Sequence, residues 1–255
     1  MKVLPVLLIC LFLDYTNANA QLSPPGLGDT HDAFWSAIGV QQKIDEKTTS
    51  MTYFGEGRIS GAGSNDMMKE QSILVLNEEV YRAVNKNWKY SYALSYRRQD
   101  QYGNYSPYEL EHLAKQLEFR VYGRLSNTTT VSRLKWKNTI RQEVRKFYTP
   151  DFDNPEDVMQ LRTRLKTQVS LQLGSTNENR LTGSAEALFS ISDETNAGWG
   201  SFGYKESRFC FYYSYAPKSL PVTFDVGYMN DLMGYGHDAA DANYLAFDII
   251  LENPF

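Results

Sequence analysis

The chain has 255 residues, a length that fits one β-barrel domain, and its formal net charge of −4 argues against a nucleic-acid partner. Mean hydropathy is −0.47, as in a barrel that is polar at every second position, and the two cysteines, Cys10 and Cys210, lie where no internal disulfide is expected.

At the N-terminus, Lys2 precedes an apolar stretch from Val3 to Leu13 that is too short to span a bilayer, and Ala18-Asn19-Ala20 forms a small-residue cleavage signature before Gln21. Residues 1–20 are therefore expected to be a secretory signal. Cys10 sits inside that apolar stretch, so lipid modification is not expected. Residues 21–30 read as an N-terminal extension or a hidden first strand, and 31–255 as the barrel. No later stretch reads as a transmembrane helix, so membrane residence would have to use strands, which also satisfy every backbone group in lipid.

From there the sequence alternates. In 159–173, Met159, Leu161, Leu165, Val169, Leu171 and Leu173 share one face, with Gln160, Arg162, Arg164, Lys166, Gln168 and Gln172 on the other. Comparable runs cover 33–43, 50–60, 71–83, 88–98, 109–125, 131–147, 180–192, 206–216, 221–231 and 243–255. Short turns around Asp45, Asn85 to Asn87, Ser126 to Thr128, Ser175 to Asn179 and Pro217 to Pro221 interleave with longer loops around 61–70, 99–108, 148–158, 193–205 and 232–242. The fold expected is all-β, a single closed antiparallel transmembrane β-barrel of about 12 strands, within a range of 10–14. Eleven runs are visible, and the even count of an antiparallel barrel predicts a twelfth near 21–32, despite Pro24 and Pro25. Trp88, Tyr90, Tyr92 and Tyr96 form one aromatic stripe, and Phe209, Phe211, Tyr213 and Tyr215 another, as interfacial girdles would. The alternative is a soluble sandwich or lipocalin-like barrel with that stripe inside.

The rows expected to face inward on the middle strands are basic: Arg120, Arg124, Arg133, Lys135, Lys137, Arg141, Arg145, Arg162, Arg164, Lys166 and Arg180, against Glu118, Glu143 and Glu186. Acidic partners are expected from the remaining wall, among Asp225, Asp248, Glu252, Glu56, Glu78 and Glu79. Such rows either select small anionic solutes at a constriction or fill the lumen with salt bridges.

Other chemistry is thinly marked. His31, His112 and His237 are the only histidines, and none has a metal-ligand spacing; Glu111-His112 and the loop Gly234 to Asp238 are where a catalytic base toward a lipid ester would be sought. Gly198, Gly200 and Gly203 surround Trp199 without the strand-to-helix context of a phosphate loop. Asp151, Asp153, Asn154, Glu156 and Asp157 cluster without the spacing of a calcium loop. No cofactor or metal is expected.

At the C-terminus, Leu245, Phe247, Ile249, Leu251 and the terminal Phe255 alternate with smaller or polar residues. A terminal aromatic closing such a strand resembles the C-terminal assembly signal of bacterial outer-membrane barrels. Outer-membrane lipids and the barrel-assembly machinery are the partners this implies.

Several features together resemble the Gram-negative outer-membrane barrels grouped as domain of unknown function 2490: the early strand with Trp35, Glu111-His112 followed by Gln116, Arg141-Gln142-Glu143-Val144-Arg145, Arg162-Thr163-Arg164, mid-strand Glu186 and Arg208 opening a late strand. The resemblance implies an outer-membrane location and no activity. The expected function is an outer-membrane barrel with a basic lumen, acting as a narrow anion-preferring diffusion channel. The alternatives are a non-conducting structural or partner-binding barrel and a lipid-modifying enzyme.

Overall fold

The computed structural model describes residues 32–61, 64–102, 110–174, 178–234 and 240–255. They form β1 (Asp32–Lys43), β2 (Thr48–Ile59), β3 (Glu70–Ala83), β4 (Trp88–Tyr102), β5 (Leu110–Val131), β6 (Leu134–Tyr148), β7 (Asp157–Leu173), β8 (Asn179–Glu194), β9 (Gly198–Trp199), β10 (Gly203–Tyr215), β11 (Val222–Met233) and β12 (Ala240–Glu252). The two-residue β9 only extends the β8 edge, while β10 pairs directly with β8. Eleven long strands thus close into a barrel through β1 and β12.

That closure answers the parity argument. β1 and β12 pair in parallel, from Asp32↔Asn243 to Gln41↔Glu252, whereas every other pair is antiparallel. A parallel seam joins two strands that run the same way, so an odd number of strands closes the wall. The expected strand near 21–32 lies outside the described residues, apart from Asp32, which opens β1.

The connections are asymmetric, as the sequence spacing indicates. One end carries 44–47, 84–87, 132–133, 174–178 and 216–221, and the other the longer 60–69, 103–109, 149–156, 195–202 and 234–239. Two of the short turns use one device. Asp45 Oδ1 accepts the N–H groups of Lys47 and Thr48 at 2.7 and 2.8 Å, and Asn85 Oδ1 accepts those of Asn87 and Trp88 at 2.9 Å each. The Lys47 N–H, and then Thr48, hold the Asp45 carboxyl below the usual carboxylate range.

One turn is displaced from its expected place. The chain does not turn at Ser126 to Thr128 but continues through β-branched Thr128, Thr129 and Thr130 and reverses at Ser132-Arg133, where Ser132 has a positive φ of 54°. Arg133 is therefore a turn residue and no part of the lumen wall. The last strand also stops early, at Glu252.

Alternation sends one row of each strand outward. Ile38, Phe54, Leu76, Leu94, Val121, Val144, Leu165, Phe209, Val226 and Leu245 are exposed, which gives an apolar outer surface on ten of the eleven long strands. On β8 the outward row is Leu181, Gly183, Ala185, Ala187, Phe189 and Ile191, apolar but half-buried. The aromatic stripes face outward too, opposite to the soluble alternative: Trp88, Tyr90, Trp136, Tyr213 and Tyr215 lie toward the short turns. Toward the long loops, Tyr96, Phe119, Tyr148 and Phe152 make a chain of ring contacts at 5.2–5.9 Å. Among the described residues no helix is long and apolar enough to cross a membrane.

Candidate functional site in the barrel lumen

The inward rows are unequal along the barrel axis. In the half nearer the long loops the inward side chains are buried, among them Ala33, Ile59, Glu118, Phe147, Leu188, Ser190, Glu206, Asp231, Met233 and Ala242. Nearer the short turns, Lys137, Lys166 and Gln168 are half-buried and Lys135 and Arg180 exposed. The core of this molecule is thus the lumen itself, densely packed toward the long loops and more open toward the short turns, where small Ser126, Ser170, Ser214 and Thr223 are still buried.

A continuous chain of ion pairs crosses the packed half. Arg145 of β6 donates through Nε (2.9 Å) and Nη2 (2.6 Å) to the two carboxylate oxygens of Glu118 on β5, and Arg120 Nε donates to the same carboxylate at 2.7 Å. Arg120 also lies 3.4 Å from Glu143, which Arg141 approaches at 2.6 Å and Arg164 at 3.4 Å. Arg164 then grips Glu186 of β8 through Nε (2.8 Å) and Nη2 (2.6 Å). Such two-pronged guanidinium–carboxylate contacts fix orientation as well as charge. Gln160 of β7 extends the chain, accepting from Arg145 and donating to Ser192 at 3.0 Å.

A second cluster continues around the wall. Arg208 of β10 pairs with Glu206 at 2.5 Å and Asp231 of β11 at 3.1 Å. Arg97 of β4 and Arg162 of β7 also face the lumen in this half of the barrel. Arg162 has no ion-pair partner among the described residues, and its buried Nε–H has no acceptor.

Interior aromatics fill the space that glycines leave. Trp35 lies over Gly55 and donates Nε1–H to Asp248 at 3.1 Å, while Tyr212 covers Gly227. Tyr122 donates toward Asn77 (2.9 Å) and Glu79 (2.8 Å), and Arg141 stacks 3.5 Å from its ring centroid. Arg124 pairs with Glu79 at 3.1 Å.

Of the residues singled out from sequence, Arg120, Arg124, Arg141, Glu143, Arg145, Arg162, Arg164, Lys166 and Glu186 line the lumen together. Lys135 and Arg180 sit nearer the short-turn mouth, Arg180 donating to Ser214 at 3.1 Å. Arg133 is in the turn. The acidic partners differ from expectation. Glu79 points inward, but Glu56 and Glu78 point outward: Glu56 pairs with Arg58 on its own strand at 3.1 Å, and Glu78 accepts from the Thr52 hydroxyl. Asp225, Asp248 and Glu252 face the lumen without a cation within ion-pair distance among the described residues; Glu252 accepts from Thr223 at 2.5 Å. Phe255 lies beyond the closing strand and is 94% exposed.

Arg97, Glu206 and Asp231 went unrecognised in the sequence. The signal was present for Glu206, which with Arg208 forms the row opposite the aromatic stripe of β10. His31 and His237 lie outside the described residues. No group of three or more His, Cys, Asp or Glu among the described residues could hold a metal.

The family described as "Protein of unknown function (DUF2490)" matches residues 32–240, from the start of β1 to the start of β12. The chain belongs to the DUF2490 family. No curated protein matches it. Among solved structures, a bacterial polysaccharide outer membrane secretin aligns at 11% identity with a TM-score of 0.38, over 82% of this chain and 75% of that one.

Proposed function

We propose that this DUF2490 protein is an integral outer-membrane β-barrel that does not conduct, and that it works as a binding barrel whose basic vestibule opens toward the short turns. The membrane reading rests on the apolar outer surface, since a soluble protein rarely exposes so large a contiguous apolar area. Closure leaves no unpaired sheet edge in lipid. The charge of Lys2, the apolar stretch from Val3 to Leu13 and the small-residue Ala18-Asn19-Ala20 support export.

The observation that carries the non-conducting reading is the buried chain from Arg145 through Glu118, Arg120, Glu143 and Arg164 to Glu186. Eleven strands lie between the filled eight-stranded barrels and the open sixteen-stranded pores. Here charged and aromatic side chains occupy the width. An anion would have to displace carboxylates that already pair with these arginines, which opposes the narrow-channel alternative. The test is a planar-bilayer recording on refolded protein that shows heat-modifiable gel mobility. A flat baseline in molar potassium chloride is expected, and a steady ohmic conductance would overturn the proposal.

A further inference from the structure

A cavity of about 130 Å³ lies in the lumen below the ion-pair chain, lined by Arg124, Lys137, Arg141, Arg164, Lys166 and Glu186. Five of its six charged walls are cationic. Two of the cations are matched from behind: Glu79 pairs with Arg124 at 3.1 Å, and Glu143 with Arg141 at 2.6 Å. Glu186 is itself held by both prongs of Arg164. Lys137 and Lys166 have no ion-pair partner among the described residues, so about two positive charges stand uncompensated around the cavity. The buried Nε–H of Arg124 also lacks an acceptor.

We propose that this cavity is a binding site for a phosphate-class dianion, either free phosphate or the terminal phosphate of a larger molecule entering from the short-turn end. The proposal deepens the binding-barrel reading and rests on it. Two observations favour a dianion over a carboxylate. Two unpaired ammonium groups match the charge of about −1.5 to −2 that a phosphate monoester carries at neutral pH. Donors converge from three strands, β5, β6 and β7, as a tetrahedral group with several acceptor oxygens requires. The cavity, at about 130 Å³, has room for an oxyanion together with several waters. The site is preorganised, because the Tyr122 ring, held by Asn77 and Glu79, carries Arg141 against its face at 3.5 Å and Arg124 at 5.1 Å. Lys135 and Arg180 continue the positive wall toward the mouth.

The experiment is calorimetric titration of the refolded full barrel, in a phosphate-free maltoside detergent, with inorganic phosphate, with dihexanoyl phosphatidic acid and with acetate. Saturable binding of inorganic phosphate with none of acetate is the expected result. Binding of the phosphatidic acid alone would assign the same chemistry to a lipid headgroup. Lys137→Gln and Lys166→Gln should each weaken binding at least tenfold and keep heat-modifiable mobility, since neither removal strands a carboxylate. If one fails to fold, the other carries the test. Lys135→Gln, outside the cavity, should change affinity by less than twofold. Failure of both phosphate ligands to saturate, or unchanged affinity in the folded lysine variants, would overturn the site. Recording conductance on the same preparation separates the two ideas: an open pore that still binds phosphate sinks the seal alone, and a silent barrel that binds none sinks the site alone.

Discussion

Glu143 shows what a single side chain does in this lumen. Its carboxylate lies within 3.4 Å of three guanidinium groups, those of Arg120, Arg141 and Arg164, and its side chain is fully buried. Removing the charge leaves those arginines facing one another in a confined space, so Glu143→Gln should lower unfolding stability by about 3 kcal/mol, read by urea titration of the refolded barrel. The glycines under aromatic rings give a steric counterpart. A Cβ on Gly227 would meet Tyr212 at 2.2 Å, and one on Gly55 would meet Trp35 at 2.4 Å, whereas one on Gly183 meets nothing within 4 Å. Gly227→Ala and Gly55→Ala should therefore each cost about 1–3 kcal/mol, with Gly183→Ala near neutral in the same titration. The inward direction of Arg141, Glu143 and Arg164 was legible because alternation fixes parity. Their pairing was not, because the sequence does not say whether a basic row meets carboxylates on its own strands or across the lumen.

Parity also explains what was legible at the level of whole strands. Eleven expected runs correspond to the eleven long strands, and their ends differ mostly by one to three residues. The larger departure is at β5 and β6. There, polar Ser126, Asn127 and Thr128 read as a turn, although Thr-rich sequence pairs well and the two-residue Ser132-Arg133 reversal fits the strand twist better. Glu78 misleads in the opposite way, because it breaks the outward apolar row of β3 and directs attention inward. On β12 the two faces can be tested against each other. Ile249 points outward in register with Phe224, while Asp248 points inward to accept from Trp35. In lipid, Ile249→Arg should cost on the order of 2–4 kcal/mol near the midplane, and Asp248→Asn, which keeps an acceptor for Trp35, should be tolerated. Outer-membrane abundance of the two variants in one strain is the measurement. Equal abundance would mean that this face does not meet lipid.

The closed barrel depends on its parallel seam, and the seam shows what the terminal residues do. Below the last rung, Gln41↔Glu252, the chain leaves the sheet with Asn253 at a positive φ of 49°. Asn253 donates its N–H to the Gln41 carbonyl at 2.7 Å and accepts the Lys43 N–H on Oδ1 at 2.7 Å. Phe255 adds backbone contacts to the Gln42 side chain at 3.0 and 3.3 Å. These bonds tie β12 to β1 through main-chain and amide groups, and the exposed Phe255 ring takes no part in them. The sequence could not show this, because a terminal aromatic continues the period-two pattern whether or not it lies in the strand. Stability and assembly should therefore separate at this residue. Phe255→Ala should leave the unfolding stability of refolded protein within about 0.5 kcal/mol, as for an exposed side chain with no packing. If the ring is read during insertion, the same variant should still lose most of its outer-membrane abundance in cells, while Phe255→Tyr keeps it. A large stability loss in vitro would place the ring in the folded structure. Unchanged abundance in cells would remove it from assembly.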